Sequence, residues 1–349
     1  WNIPGRPYAI LVDFKGFLPR QDELLTELWM RFGVDSLTGN WDYKEAALFG
    51  YAAGRVIESF YRFNLYASDK VVAHFHEWQT GSGLLYIKDM KLPVATVFTT
   101  HATMMGRCIA GNNIPLYDHL DHYDGDEMAR RLGVIARNSL EKTCARHADV
   151  LTTVSDITAR ECARFYGREV DIVTPNGFEN SFTPQNKEEY IEKFRAARRC
   201  LREVASQMCG APVPEDAVFV GIGGRYEYRN KGIDIFIDSL ARLRDSGYDG
   251  RQVHAFILIP SGHNGPDRSL AAKMRGDGAP HYVTQVSHAL MNPEYAVISR
   301  RFAEVGLANR PDDKVKVYFI PSYLNGNDGV FNMKYYDLLI GLDATMFPS

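Results

Sequence analysis

Several features that mark whole classes of protein are scarce or missing in this sequence. Its 349 residues include only five cysteines, Cys108, Cys144, Cys162, Cys200 and Cys209, scattered and without CxxC spacing. That pattern supports neither a zinc site nor a disulfide framework, and it fits reduced thiols in the cytoplasm, the default compartment. There is no long apolar run and no signal peptide, so no membrane partner is expected. A formal charge of -3 supplies no basic field, which argues against nucleic acid as a partner. GxxxxGK[ST], GxSxG and HExxH are absent, leaving P-loop, serine-hydrolase and zincin chemistry without support. No metal and no cofactor are expected.

What is present is alternation. At this length a single core splits, so two domains are expected, and 45% hydrophobic with 24% charged residues is ordinary for a globular chain. Strand-like runs occur at 8–14 (YAILVDF), VVAHF, VATVFTT, VLTTVS, DIVT, AVFVGIGG, VHAFILI, KVKVYFI and ATMF. Helical spacing fills the intervals, including 43–63, 80–90 and 127–147, where Leu132, Ala136, Leu140 and Cys144 recur every four residues. Ser155 is placed to cap a helix that Gly167 stops. The alternation predicts βαβ units and parallel sheets in an α/β fold. We expect a first domain over 1–182, a charged helical linker over 183–215 and a second domain over 216–349. The Gly-, Pro- and Arg-rich stretch from 260 to 313 gives no clear pattern.

The segment from 71 to 107 is the most informative. Two apolar runs each end in a histidine-containing cluster, His76-Glu77-Trp78 and His101-Ala102-Thr103, with a helical segment between them. Ligands bind outside the carboxyl ends of parallel strands, so His76, Glu77, His101 and the following Arg107 are candidate site residues. A lone strand-end histidine is more often structural, but two such clusters at neighbouring strand ends favour a site.

A second constellation is Gly223-Gly224-Arg225, followed by Asn230-Lys231-Gly232. Glycines at a strand end let backbone N–H groups approach a phosphate, and Arg225 and Lys231 add the cations a diphosphate requires. The third glycine of a nicotinamide fingerprint is out of place, which disfavours an oxidoreductase. Asn176, in the Pro-Asn-Gly after DIVT, offers an amide at another strand end, and a plain turn explains it nearly as well. Tyr335 and Tyr336 could stack on a base or fill a core stripe.

HFHEWQTGSGLLYIKDMKLPVATVFTTHATMMGR, HADVLTTVSDITARE, DIVTPNGF and GRYEYRNKGIDIFIDSLARL, with the closing YYDLLIGLDATMFPS, resemble glycogen synthase of the animal and fungal type. The resemblance implies the GT-B fold, two Rossmann-like doubly wound domains facing a cleft. It implies retaining transfer of glucose from a nucleotide sugar, UDP-glucose or ADP-glucose, to the 4-hydroxyl end of an α-1,4-glucan such as glycogen. Carried over, His101 would sit near the transferred glucose and Arg107 near the phosphates or the sugar. Arg225 and Lys231 would hold the diphosphate, Tyr335 would stack on the uracil, and Glu77 would lie in the cleft wall or on the acceptor side. Such a reaction needs charge neutralisation at the leaving group rather than a nucleophile.

The family's Gly-rich N-terminal loop and its EPWGYTP-like segment with a catalytic glutamate are not found. An internal piece of a synthase, inactive alone, is therefore expected. Two alternatives accompany this reading, a non-catalytic module binding glucan or nucleotide and a GT-B transferase with another acceptor. Donor preference, allosteric control and homo-oligomer formation stay open.

Overall fold

The computed structural model describes residues 5–277 and 283–348. Contacts divide the chain after Phe178 into two compact units. The first begins with α1 (Gln21–Phe32) and α2 (Trp41–Asn64). It continues through β1 (Val71–His76), α3 (Glu77–Asp89), β2 (Val94–Thr100), α4 (Met104–Gly111), α5 (Gly125–Arg131) and α6 (Ile135–His147). β3 (Val150–Thr153), α7 (Asp156–Tyr166) and β4 (Ile172–Val173) complete it. The strands lie in chain order, β1-β2-β3-β4, and every pair is parallel. Parallel neighbours need a crossover, which α3 and the later helices supply.

Two expectations differ from what is seen. YAILVDF is no strand: Tyr8, Ile10 and Leu11 are exposed, and no described strand pairs with the run. Apolar β-branched composition favours a strand only where a neighbour satisfies the backbone. The expected helix over 127–147 is two helices, because Gly133 takes a left-handed conformation (φ 70°) between α5 and α6. Ser155 does cap α7, accepting from Thr158 N at 3.2 Å, and Gly167 ends it.

The second unit contains α8 (Lys187–Cys209), β5 (Val218–Gly223), α9 (Ile233–Asp245) and β6 (Val253–Leu258). The stretch without a clear sequence pattern holds β7 (His263–Pro266), α10 (Arg268–Met274), β8 (His288–Leu290) and α11 (Val297–Glu304). β9 (Val315–Ile320), α12 (Tyr335–Leu339) and β10 (Ala344–Thr345) follow. A parallel sheet runs in the order β10-β5-β6-β9, and β7 pairs antiparallel with β8.

Every residue of β6 and β9 is buried, as in a sheet covered on both faces. One face packs Phe219, Phe256 and Tyr318 against Leu201, Val204 and Met208 of α8. The other packs Val220, Ile257 and Val317 against α9 and α11. The segment expected to be a linker therefore belongs to the second unit, its long helix forming one wall of the core. Its charge density misled the sequence reading: most charged positions lie on the outer face of an amphipathic helix, while Arg198 turns inward over the Phe219 ring.

Candidate active site

In the first unit the register places His76 beside Thr99 at the carboxyl edge of β1 and β2. His101 follows β2 directly, and its Nε2 lies 3.1 Å from Nδ1 of His76. One ring must donate and the other accept, so at least one of the pair is neutral. Loss of water around His76 lowers its pKa, and the neighbouring His74 and His101 push the same way. Below, His74 Nε2 meets Thr99 Oγ1 at 2.7 Å, and that hydroxyl meets Thr152 Oγ1 at 2.5 Å. Side-chain contacts thus run from ring to ring and down into the sheet.

Glu77 opens α3 with a left-handed backbone (φ 62°), a conformation that is costly for a residue other than glycine. Its Oε1 accepts the backbone N–H of His101 at 2.9 Å. His76, Glu77 and His101 are therefore brought together, as the sequence suggested. Arg107 stands in the first turn of α4, donating its backbone N–H to Thr103 O at 3.0 Å. Asn176 lies exposed after β4.

Sequence reasoning missed Glu141 and Glu161, buried carboxylates on α6 and α7. Glu141 Oε2 accepts from Met104 N at 2.8 Å. Burial raises the Glu141 pKa to about 8. The Met104 N–H opposes that shift, the Glu77 charge adds to it, and the Tyr166 hydroxyl and the Arg107 charge oppose it. The folded state thus holds a proton that the unfolded chain releases near 4.5. More protons bound to the folded state means that this contribution, intact below the unfolded value, is lost as pH rises through the folded one. Thermal melts from pH 4.5 to 8 are expected to show Glu141→Gln flattening the fall in stability with pH; an unaltered slope would clear Glu141. Only the helical period could have signalled these two glutamates, since each falls on an apolar stripe.

In the second unit a cavity of about 790 Å³ opens at the carboxyl ends of β5, β6 and β9. Gly223, Gly224, Arg225, Leu258, Tyr323 and Tyr335 line it. A side chain at Gly223 would begin 2.1 Å from the Tyr335 hydroxyl, so glycine there is what lets the phenol reach the strand end. Gly224 has φ 148°, and the methylenes of Lys231 lie over it. Arg225 pairs with Glu227 at 2.8 Å. Gly224, Arg225, Lys231 and Tyr335 are therefore neighbours around one cavity edge. Ser322, Tyr323, Asn325 and Phe347 also line the cavity and were not anticipated; Ser322 and Tyr323 follow a strand end, a signal available in PSYLN. Among the described residues no group of three or more His, Cys, Asp or Glu could hold a metal ion. No described helix is long and apolar enough to cross a membrane.

The glycogen synthase family model matches residues 1–270. Over 410 residues the chain is 35% identical to the liver glycogen [starch] synthase of Mus musculus, covering all of this chain and 57% of that protein. It is 29% identical over 419 residues to glycogen [starch] synthase of Neurospora crassa, with 100% and 57% covered. For glycogen [starch] synthase of Dictyostelium discoideum the figures are 28% over 411 residues, with 100% and 45% covered. The chain thus spans about half the length of the relatives it matches. Since the family model covers well over half of its residues, the chain belongs to the glycogen synthase family.

Proposed function

We propose that this chain carries the donor site and part of the sugar site of a retaining glucosyltransferase. The enzyme moves glucose from a nucleotide sugar such as UDP-glucose to the 4-hydroxyl at the non-reducing end of an α-1,4-glucan such as glycogen. The observation that carries the reading is the cavity at the ends of β5, β6 and β9, where glycine backbone, an arginine, a lysine and an aromatic ring adjoin. A nucleoside diphosphate asks for that set of groups: open backbone and cations for the phosphates, and a ring for the base.

In the reaction the bond from glucose C1 to the β-phosphate oxygen breaks, and the acceptor O4 bonds to C1 on the same face. The departing phosphate oxygen takes the acceptor proton. Negative charge grows on the diphosphate as the bond opens, so Arg225 and Lys231 act most strongly in the transition state. Tyr335 stacks on the base. His101 and Arg107 are assigned to the transferred sugar, and Glu77, with His76 beside it, to the acceptor side. Gly224 keeps the backbone open to the diphosphate, and Asn176 is assigned to the wall of the same sugar site.

Radiolabelled glucose transfer from UDP-glucose and from ADP-glucose to glycogen tests this in the full-length protein, with calorimetric titration of UDP alongside; the 349 residues alone are expected to be inactive. UDP binding and amylase-sensitive incorporation from UDP-glucose are expected. Incorporation from neither donor would remove the functional reading.

A further inference from the structure

We propose that Glu141 and Glu161 are positioning residues for the transfer, holding the loop from His101 to Met104 and thereby setting His101 and Arg107. This rests on the reading of those two side chains as sugar-site groups. Three different helices each send one carboxyl group to a different polar group of this loop. Glu77 of α3 takes the His101 N–H at 2.9 Å. Glu161 of α7 takes the Thr103 hydroxyl at 2.6 Å, and Glu141 of α6 takes the Met104 N–H at 2.8 Å.

The donor inventory closes around Thr103. Its Oγ1 accepts from Gly106 N at 2.9 Å as the cap of α4, which leaves its hydrogen for Glu161. The other oxygen of Glu161 accepts from the Tyr117 hydroxyl at 2.7 Å. A side chain at Gly106 would begin 2.1 Å from Glu161 Oε2, so the carboxylate lies directly against the first turn of α4. That turn carries Arg107, and its rotation is fixed by the same groups.

Stability alone gives poor reason for two such acids. Glu141 is 0% and Glu161 5% exposed, and burying a polar carboxyl group costs free energy that an apolar side chain of similar size would not. What carboxylates supply is direction: each fixes one N–H or O–H of the loop. An apolar packing would hold the loop in place without fixing its orientation.

The test follows steady-state transfer and the side-chain ¹⁵N resonances of His101 in the full-length protein, for Glu141→Ala, Glu141→Gln and Glu161→Ala. Both alanine variants are expected to lower kcat about 100-fold, the cost of a misplacement near 1 Å, and to move the His101 signals. The donor KM should stay within about threefold, because the diphosphate groups belong to the other unit. Glu141→Gln keeps an acceptor for Met104 N and should retain both kcat and the His101 signals. Unmoved His101 signals in the folded alanine variants, or Glu141→Gln as impaired as Glu141→Ala, would overturn the proposal. Should the alanine variants not fold, Glu141→Gln and Thr103→Val decide it. The first is expected to keep the His101 signals and the second to move them, and the reverse would overturn the assignment. Absence of transfer in the unaltered chain would remove only the functional reading, since the imidazole signals report position without turnover.

Discussion

Replacing Arg225 with alanine is expected to lower kcat for glucose transfer by about 10²–10³-fold, the loss seen when one preorganised donor to a developing oxyanion is removed. Arg225 lines the cavity edge, next to Gly224 and near Lys231. Its partner there is Glu227 at 2.8 Å, and the guanidinium is 68% exposed. An exposed pair of this kind contributes at most about 1 kcal/mol, so the variant should melt close to the parent. A large loss in kcat with little loss in melting temperature is therefore the signature. Arg225→Lys should recover only part of the rate, because a point charge cannot make the two parallel contacts of a planar fork.

Lys231→Ala should behave like Arg225→Ala, and the double variant should lose less than the product of the two. Both cations neutralise the same leaving group, and residues acting as a unit are not additive. Single-turnover transfer at saturating UDP-glucose measures this directly. A change below about threefold in either single variant would place the cation outside the reacting diphosphate.

Leu201→Ala carries the second large effect, a destabilisation of about 2–5 kcal/mol, typical of truncating a fully buried leucine. Leu201 is 0% exposed and packs with Phe219, Phe256 and Tyr318 of the second sheet. A side chain added at Gly341 would meet both Ala197 and Leu201 within 3 Å, so α8 is packed closely from a second side as well. If α8 were a solvated linker, the same change would cost within about 0.5 kcal/mol, the usual range for surface positions. Urea unfolding followed by far-ultraviolet circular dichroism separates the two cases, since all four tryptophans fall in the first unit and would not report on the second. A small loss would return α8 to the role its charge suggested.

This helix shows where sequence reading stops. KEEYIEKFRAARRCLREVASQMC has the apolar period of a core helix and the charge of an exposed one. The period was there to be read, but which sheet would receive it was not. Tertiary packing decided that Leu201, Val204 and Met208 meet the aromatic face of β5, β6 and β9. YAILVDF failed in the opposite direction. Its composition is that of a strand, but no described strand pairs with it, and Tyr8, Ile10 and Leu11 stay exposed.

The strand-end clusters were legible because glycine, histidine and paired cations at the ends of apolar runs break the local pattern. In a parallel sheet that break marks the edge where ligands bind. Glu141 and Glu161 were not legible. Each looks like one polar residue on a helix, and its meaning depends on a loop 37 and 58 residues away. The residues after β9 stood at a readable strand end, but their place beside Gly223 was not legible, since a strand distant in the chain brings them there.

The sequence by itself determined the alternation of strands and helices, the parallel sheets, the strand-end positions of His76, Glu77, His101 and Arg225, and the place of Lys231 just before the next helix. Periodicity and chain order are local properties, and local interactions suffice to express them. Tertiary structure alone decided which carboxylates grip the loop after β2, which helix closes the second core, and that Tyr335 reaches Gly223. Those contacts join residues far apart in the chain, and only the packed fold makes them neighbours.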